Sequence, residues 1–122
     1  MPANFQFDFE ELDVYKLALD FVDRVFERAD GWPVTAQRRV GDHLCRTSVS
    51  IPANIAEGSG KLSKLDQRRY YDIARGSARE CIPMLGISQR RGYLEPHEYA
   101  ELRTMVVRLC QMLTRLMASR TR

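Results

Sequence analysis

The stretch SVSIPANIAEG, residues 48–58, decides how the chain is read, because it sets a proline inside an otherwise regular helical pattern. Val40, Leu44, Ser48, Ile51 and Ile55 recur at steps of four, four, three and four, the period of one buried helix face. Pro52 falls within that face. Proline there removes an N–H donor and crowds the carbonyl four residues back, at a cost of about 3 kcal/mol in an ordinary helix interior. The same stretch supplies the offset: Ser48, Ser50 and Asn54 carry short polar groups able to bond freed backbone atoms, and the helix is expected to bend at Pro52. Ala53 and Ala56 leave room for the close approach of another helix. Glu57 lies toward the helix C-terminus, where the dipole disfavours a carboxylate, so it calls for a cationic partner.

Outward from this stretch, Gly58-Ser59-Gly60 ends the helix and three further periodic segments surround it. The first carries Leu12, Tyr15, Leu19, Val22 and Phe26 at steps of three, four, three and four, broadened by Ala18, Phe21 and Val25, and stops at Asp30-Gly31. The third starts after Ser63, a good N-cap, and presents Tyr70, Ala74, Ser77, Cys81 and Leu85 inward, with Pro83 as an expected second kink. The fourth starts at Pro96 and carries Tyr99, Leu102, Val106, Leu109, Leu113 and Leu116. Helices over about 9–29, 34–58, 63–91 and 96–118 follow, joined by short Gly-containing connections. The expected fold is all-α: one antiparallel up-down-up-down four-helix bundle spanning residues 1–122.

Composition narrows the function classes. The 122 residues are 44% hydrophobic and 29% charged, which suits one folded domain rather than a disordered tail. The start, MPANFQFDFEELD, is acidic and unlike a signal peptide, and no apolar run is long enough to span a bilayer, so a cytoplasmic protein with no membrane partner is expected. Cys45, Cys81 and Cys110 are widely spaced on or beside apolar stripes, as buried thiols in a reducing compartment would be. With no C-x-x-C and only His43 and His97 to join them, no metal or other cofactor is expected.

The net charge of +3 conceals an asymmetry. Residues 1–32 hold three basic against eight acidic residues, whereas residues 33–122 hold sixteen against eight. Such a chain suits nucleic-acid binding, or assembly through complementary patches.

The run SIPANIAEG, followed by a basic Ser-containing linker and a third helix, resembles the four-helix-bundle proteins encoded in intervening sequences of large-subunit ribosomal RNA genes. The accessory variability protein of diversity-generating retroelements belongs to the same group. FEELDVYKLALDFV is similar to the family's opening pattern, and RRGYLEPHEYAEL to the start of its last helix, so the resemblance covers nearly the whole chain. Two departures stand out: Cys81-Ile82-Pro83 replaces helix formers, and Gly41-Asp42 replaces an aromatic early in helix two. The resemblance implies small rings, typically homopentamers, and no enzymatic activity. It also implies a basic surface for RNA or DNA, with a reverse transcriptase as protein partner only where the genomic context fits. Under this reading Ser50, Ile51, Pro52, Ala53, Asn54, Ile55, Ala56, Glu57 and Gly58 form a packing and assembly element.

The residues themselves offer one surface for function. Lys64, Arg68, Arg75 and Arg79 are separated by four, seven and four positions, so they line one side of helix three, with Asp72 interrupting them; Lys61 extends the row and Arg69 flanks it. Such a face suits a phosphate backbone, bound with salt sensitivity and little sequence preference. The alternative use is pairing with the acidic helix one of the same or a neighbouring subunit. Arg38 and His43 show the R-x-x-x-x-H spacing of a family of helical ribonucleases, but early in helix two and followed by Arg39-Val40. A non-catalytic binding or scaffolding protein is therefore expected. The alternatives are a ribonuclease-like enzyme using Arg38 and His43, or an adaptor that binds only protein.

Overall fold

The computed structural model describes residues 2–121, and every structural statement below concerns these residues. Four helices form, without strands: α1 (Asp13–Asp30), α2 (Val34–Ala36, continuing through one π turn at Gln37–Gly41 into Asp42–Ser59), α3 (Lys64–Arg90) and α4 (Pro96–Ala118). A 3₁₀ turn, Asp8–Glu11, precedes them. The expectation of one helix from about residue 9 is corrected here, because Leu12 is extended (φ −68°, ψ 128°) and divides the turn from α1.

Several helix boundaries have a local cause. Ser63 Oγ accepts from the Asp66 N–H at 3.0 Å, capping α3. Glu98 Oε1 accepts from the Glu95 N–H at 2.8 Å, and Pro96 fits the first turn of α4. Between α3 and α4 the chain reverses at Gly92, whose φ of 81° suits glycine. The α1–α2 turn is closed by Gln37, whose Nε2 donates to the Trp32 carbonyl at 3.0 Å and to the Ala29 carbonyl at 3.3 Å.

Each helix packs on its sequence neighbours and α1 packs on α4, so the order around the bundle is α1, α2, α3, α4. Partners run in opposite residue order. Arg24 meets Glu101 and Arg28 meets Glu98; Thr47 meets Glu80 and Ser59 meets Tyr71; Arg68 meets Arg120 and Arg75 meets Thr114. The face formed by α1 and α2 therefore lies opposite the face formed by α3 and α4.

The core confirms the α2 stripe: Val40, Leu44, Ser48, Ile51 and Ile55 are all buried. In α1 the stripe is rotated from the expected one. Val14, Ala18, Phe21, Val25 and Ala29 are buried, whereas Leu19 and Phe26 are 41% and 40% exposed. The apolar arc of α1 is wider than its core-facing part, and a step count cannot tell its centre from its edge. In α3 the inward residues are Tyr71 and Ala78, not Tyr70 and Ser77. Tyr71 satisfies its hydroxyl against Ser59 Oγ at 2.9 Å, which permits its full burial.

Candidate nucleic-acid interface

The residues around Pro52 are held by backbone bonding and close packing. The helix continues through Pro52, which is buried. Ser48 Oγ donates to the Cys45 carbonyl at 2.7 Å, Ser50 Oγ to the Thr47 carbonyl at 2.6 Å, and Asn54 Nδ2 to the Ser50 carbonyl at 2.7 Å. All three polar side chains bond the backbone of this turn, on carbonyls flanking that of Ser48. Ile51 and Ile55 are core, whereas Ala53 is exposed and Ala56 half-buried. Glu57 has its cation: Lys61 Nζ lies 3.2 Å from Glu57 Oε2. Gly58 carries the tightest constraint. A Cβ there would stand 2.9 Å from Tyr70 Cβ and 3.2 Å from the Gln67 carbonyl oxygen, so glycine alone lets α2 and α3 meet.

The six basic side chains expected to form a row differ in their surroundings. Lys61 is held by Glu57, whose carboxylate raises the ammonium pKa above the usual lysine range, and it lies 4.9 Å above the Tyr70 ring. Arg69 pairs with Asp66 at 3.5 Å. Half-buried Arg68 donates to the Arg120 carbonyl and ties α3 to the end of the chain. Lys64 is exposed at the start of α3.

Arg75 and Arg79 have a different setting. With Cys110, Gln111, Thr114 and Arg115 of α4 they line a groove of about 580 Å³. Arg75 is positioned within it by Asp72 at 2.7 Å and by Thr114 Oγ1 at 3.0 Å. No carboxylate lines this groove. Arg79 also lines an adjoining groove of about 500 Å³ with Ile82, Pro83, Arg103 and Val107. Arg115 and Arg103 were not among the residues read from helix three. Their signal in the sequence is the four-step row 103, 107, 111, 115, which follows the α3–α4 seam.

Two further sequence candidates are placed elsewhere. Arg38, within the π turn, and His43, two residues beyond it, are exposed and line neither groove. His43 Nε2 is 4.0 Å from Glu80 Oε2, an exposed contact. The cysteines are free thiols, and only Cys81 is fully buried; Cys45 and Cys110 are half-buried, correcting the expectation that all three lie inside. Burial pushes the Cys81 thiol up to about 12. Burial also raises the Cys110 pKa, against the opposing pull of Arg79 and Arg75 across the groove. Among the described residues no group of His, Cys, Asp and Glu could hold a metal ion, and no helix is long and apolar enough to cross a membrane.

Comparison with known proteins places this architecture. The profile of the 23S rRNA-intervening sequence protein family matches residues 10–115, and the chain belongs to that family. Among solved structures it is similar to a protein with unknown function from the S23 ribosomal protein family of Bacteroides thetaiotaomicron VPI-5482. The two share 23% sequence identity over 85% of this chain and 97% of that one, with a TM-score of 0.78. This likeness shows the shared fold. No curated protein matches the chain.

Proposed function

We propose that this member of the 23S rRNA-intervening sequence protein family is a non-catalytic, self-associating scaffold. Its α3–α4 groove holds the phosphate backbone of a nucleic acid. One observation carries the reading: Arg75, Arg79 and Arg115 line one groove from two helices, and of the three only Arg75 has a carboxylate partner, Asp72. Guanidinium forks match phosphate oxygens bidentately, and their charge does not titrate in the physiological range. The groove has no aromatic lining on which bases would stack, so backbone contact with little sequence preference is the mode that fits. Self-association, as a ring of five, rests on the family resemblance.

The test is fluorescence anisotropy with labelled duplex DNA and structured RNA at low and physiological salt, with oligomer mass measured on the same sample. Binding should weaken as salt rises. The double variant Arg75→Gln/Arg115→Gln should weaken it further and reduce the salt slope by about 2, one for each lost phosphate contact. No binding by the folded wild-type protein at low salt would overturn the nucleic-acid reading. Cleavage of RNA that is lost in His43→Ala would overturn the non-catalytic one.

A further inference from the structure

At the end of the bundle where the chain enters α1 and leaves α4, segments distant in sequence enclose a hollow of about 200 Å³. The 3₁₀ turn supplies Asp8 and Phe9, α2 its last residue Ser59, α3 Gln67 and Tyr71, and the chain beyond α4 Arg120. The hollow shares no lining residue with either groove of the α3–α4 seam. It is smaller than the roughly 300–1,000 Å³ of drug-sized sites and has room for a small metabolite.

Its polar groups suit a ligand with two charges. Asp8 and Arg120 line the same hollow, yet neither has an ion-pair partner among the described residues, so they do not neutralise each other across it. Arg120 Nη1 donates to Ser119 Oγ at 2.7 Å, and its guanidinium carbon lies 6.0 Å from the centre of the Tyr71 ring. These contacts orient the fork and leave most of its N–H groups unused. Gln67 carries an orphaned acceptor. Its Nε2 donates to the Lys61 carbonyl at 2.9 Å, which fixes the sense of the amide, and its Oε1 is buried without a donor among the described residues. A buried carbonyl oxygen in that position has lost its hydration with nothing in return. Ser59 and Tyr71 share one hydrogen bond of 2.9 Å, which uses one hydroxyl hydrogen and leaves the second to donate. Phe9, Leu12 and the Tyr71 ring form the apolar lining.

We propose that this hollow binds a free α-amino acid with an aliphatic side chain. The ligand carboxylate meets the Arg120 guanidinium and the spare hydroxyl hydrogen of the Ser59–Tyr71 pair. The ammonium, with three donors, meets the Asp8 carboxylate and Gln67 Oε1. The side chain lies against Phe9 and Leu12. Each demand rejects a related molecule. A simple anion leaves Asp8 and Gln67 Oε1 unserved, a simple amine leaves Arg120 unserved, and a trimethylated amine has no N–H for Gln67. Because the lining comes from both ends of the chain, occupancy requires the folded bundle and stabilises it.

The experiment titrates the full chain with L-alanine, L-valine and L-leucine by calorimetry and follows thermal unfolding with each. N-acetyl-leucine, leucinamide and N,N,N-trimethyl-leucine are the comparisons, lacking the cation, the anion and the N–H donors in turn. At least one of the three amino acids should bind with a Kd below about 1 mM and raise Tm as its concentration increases. Each leucine derivative should bind about tenfold more weakly than leucine, or worse. Asp8→Asn and Arg120→Gln, neither of them a core residue, should stay folded by circular dichroism and lower amino-acid affinity by about tenfold or more. A folded wild-type protein that shows no saturable binding of any of the three up to about 10 mM would overturn the inference. So would derivatives that bind as tightly as leucine, or folded variants that bind as wild type does. Arg75, Arg79 and Arg115 are untouched throughout, so the nucleic-acid reading stands or falls on its own variants.

Discussion

The sharpest prediction concerns Gly58. An added Cβ would meet Tyr70 Cβ at 2.9 Å, Tyr71 Cε1 at 3.0 Å and the Gln67 carbonyl oxygen at 3.2 Å. Two of these contacts are with atoms fixed to the α3 backbone or adjoining it, so relief requires α3 to move and not a rotamer change. Overpacking of this kind costs roughly 1–3 kcal/mol. Alanine regains at most about 1 kcal/mol of helix propensity, and less here because Gly58 is one residue from the last residue of α2. Gly58→Ala should therefore destabilise the fold by about 1–2 kcal/mol. An unfolding entropy of roughly 2.1 cal/mol/K per residue converts this to a Tm lower by about 4–8 °C.

The control is Gly76→Ala, in the middle of α3, where an added Cβ meets nothing within 4 Å. That change should stabilise by about 1 kcal/mol through propensity alone. Urea and thermal unfolding at one fixed protein concentration measure both variants, because the proposed self-association would make Tm concentration-dependent. A Gly58→Ala protein as stable as wild type, beside a stabilised Gly76→Ala, would refute the claim that α2 and α3 need glycine at their crossing.

Three further outcomes follow from other sites. Ser63→Ala removes the side-chain cap of α3 and should cost about 1 kcal/mol in urea unfolding, whereas Ser63→Asp should retain stability. Tyr71→Phe loses the hydroxyl bond to Ser59 and should cost about 1 kcal/mol, read in the same assay. The Cys81 thiol stays protonated in the folded protein up to about pH 12, while an unfolded thiol ionises near 9. The unfolded state therefore binds fewer protons between these values, and stability should fall as pH rises, by about 1.4 kcal/mol per pH unit from this group. Cys81→Ala should remove that component, giving a shallower alkaline limb than wild type in unfolding curves from pH 8 to 11.

Much of this fold was legible because helical periodicity reports burial directly. In α4 the strict three–four alternation places Leu102, Val106, Leu109 and Leu113 in the core. The method loses phase where the apolar arc is wider than the contact, as in α1, since Leu19 and Phe26 satisfy the same step rule as Ala18 and Val25. The π turn at Gln37–Gly41 has a tertiary setting: a Cβ at Gly41 would sit 3.3 Å from the Trp32 ring, and Trp32 packs on Tyr93, 5.6 Å between centroids. Only the unusual Gly41-Asp42 hinted at it. The pairing of Lys61, Arg69 and Arg75 was readable from their i,i+4 and i,i+3 carboxylates, Glu57, Asp66 and Asp72. The groove was not. Its second wall comes from Arg115 and Arg103, and which side of α4 meets α3 is a property of the packed bundle.

The charge asymmetry along the chain acquires its meaning from the helix order. The acidic first 32 residues include α1, and fourteen of the nineteen basic residues lie beyond residue 40. Had α1 packed between α3 and α4, the two signs would cancel locally and the surface would be mixed. Packing in cyclic order puts α1 next to α2 and across from the α3–α4 seam, with Arg24 and Arg28 reaching Glu101 and Glu98 on its inner flank. Those pairs engage Arg24 and Arg28 against α4, while Lys16 pairs with Glu11, and Asp23 and Asp30 are left without an ion-pair partner among the described residues. A sequence gradient thus becomes a surface gradient, running from the carboxylates of α1 to the guanidiniums along the α3–α4 seam and moderated on α2 by Arg38, Arg39 and Arg46.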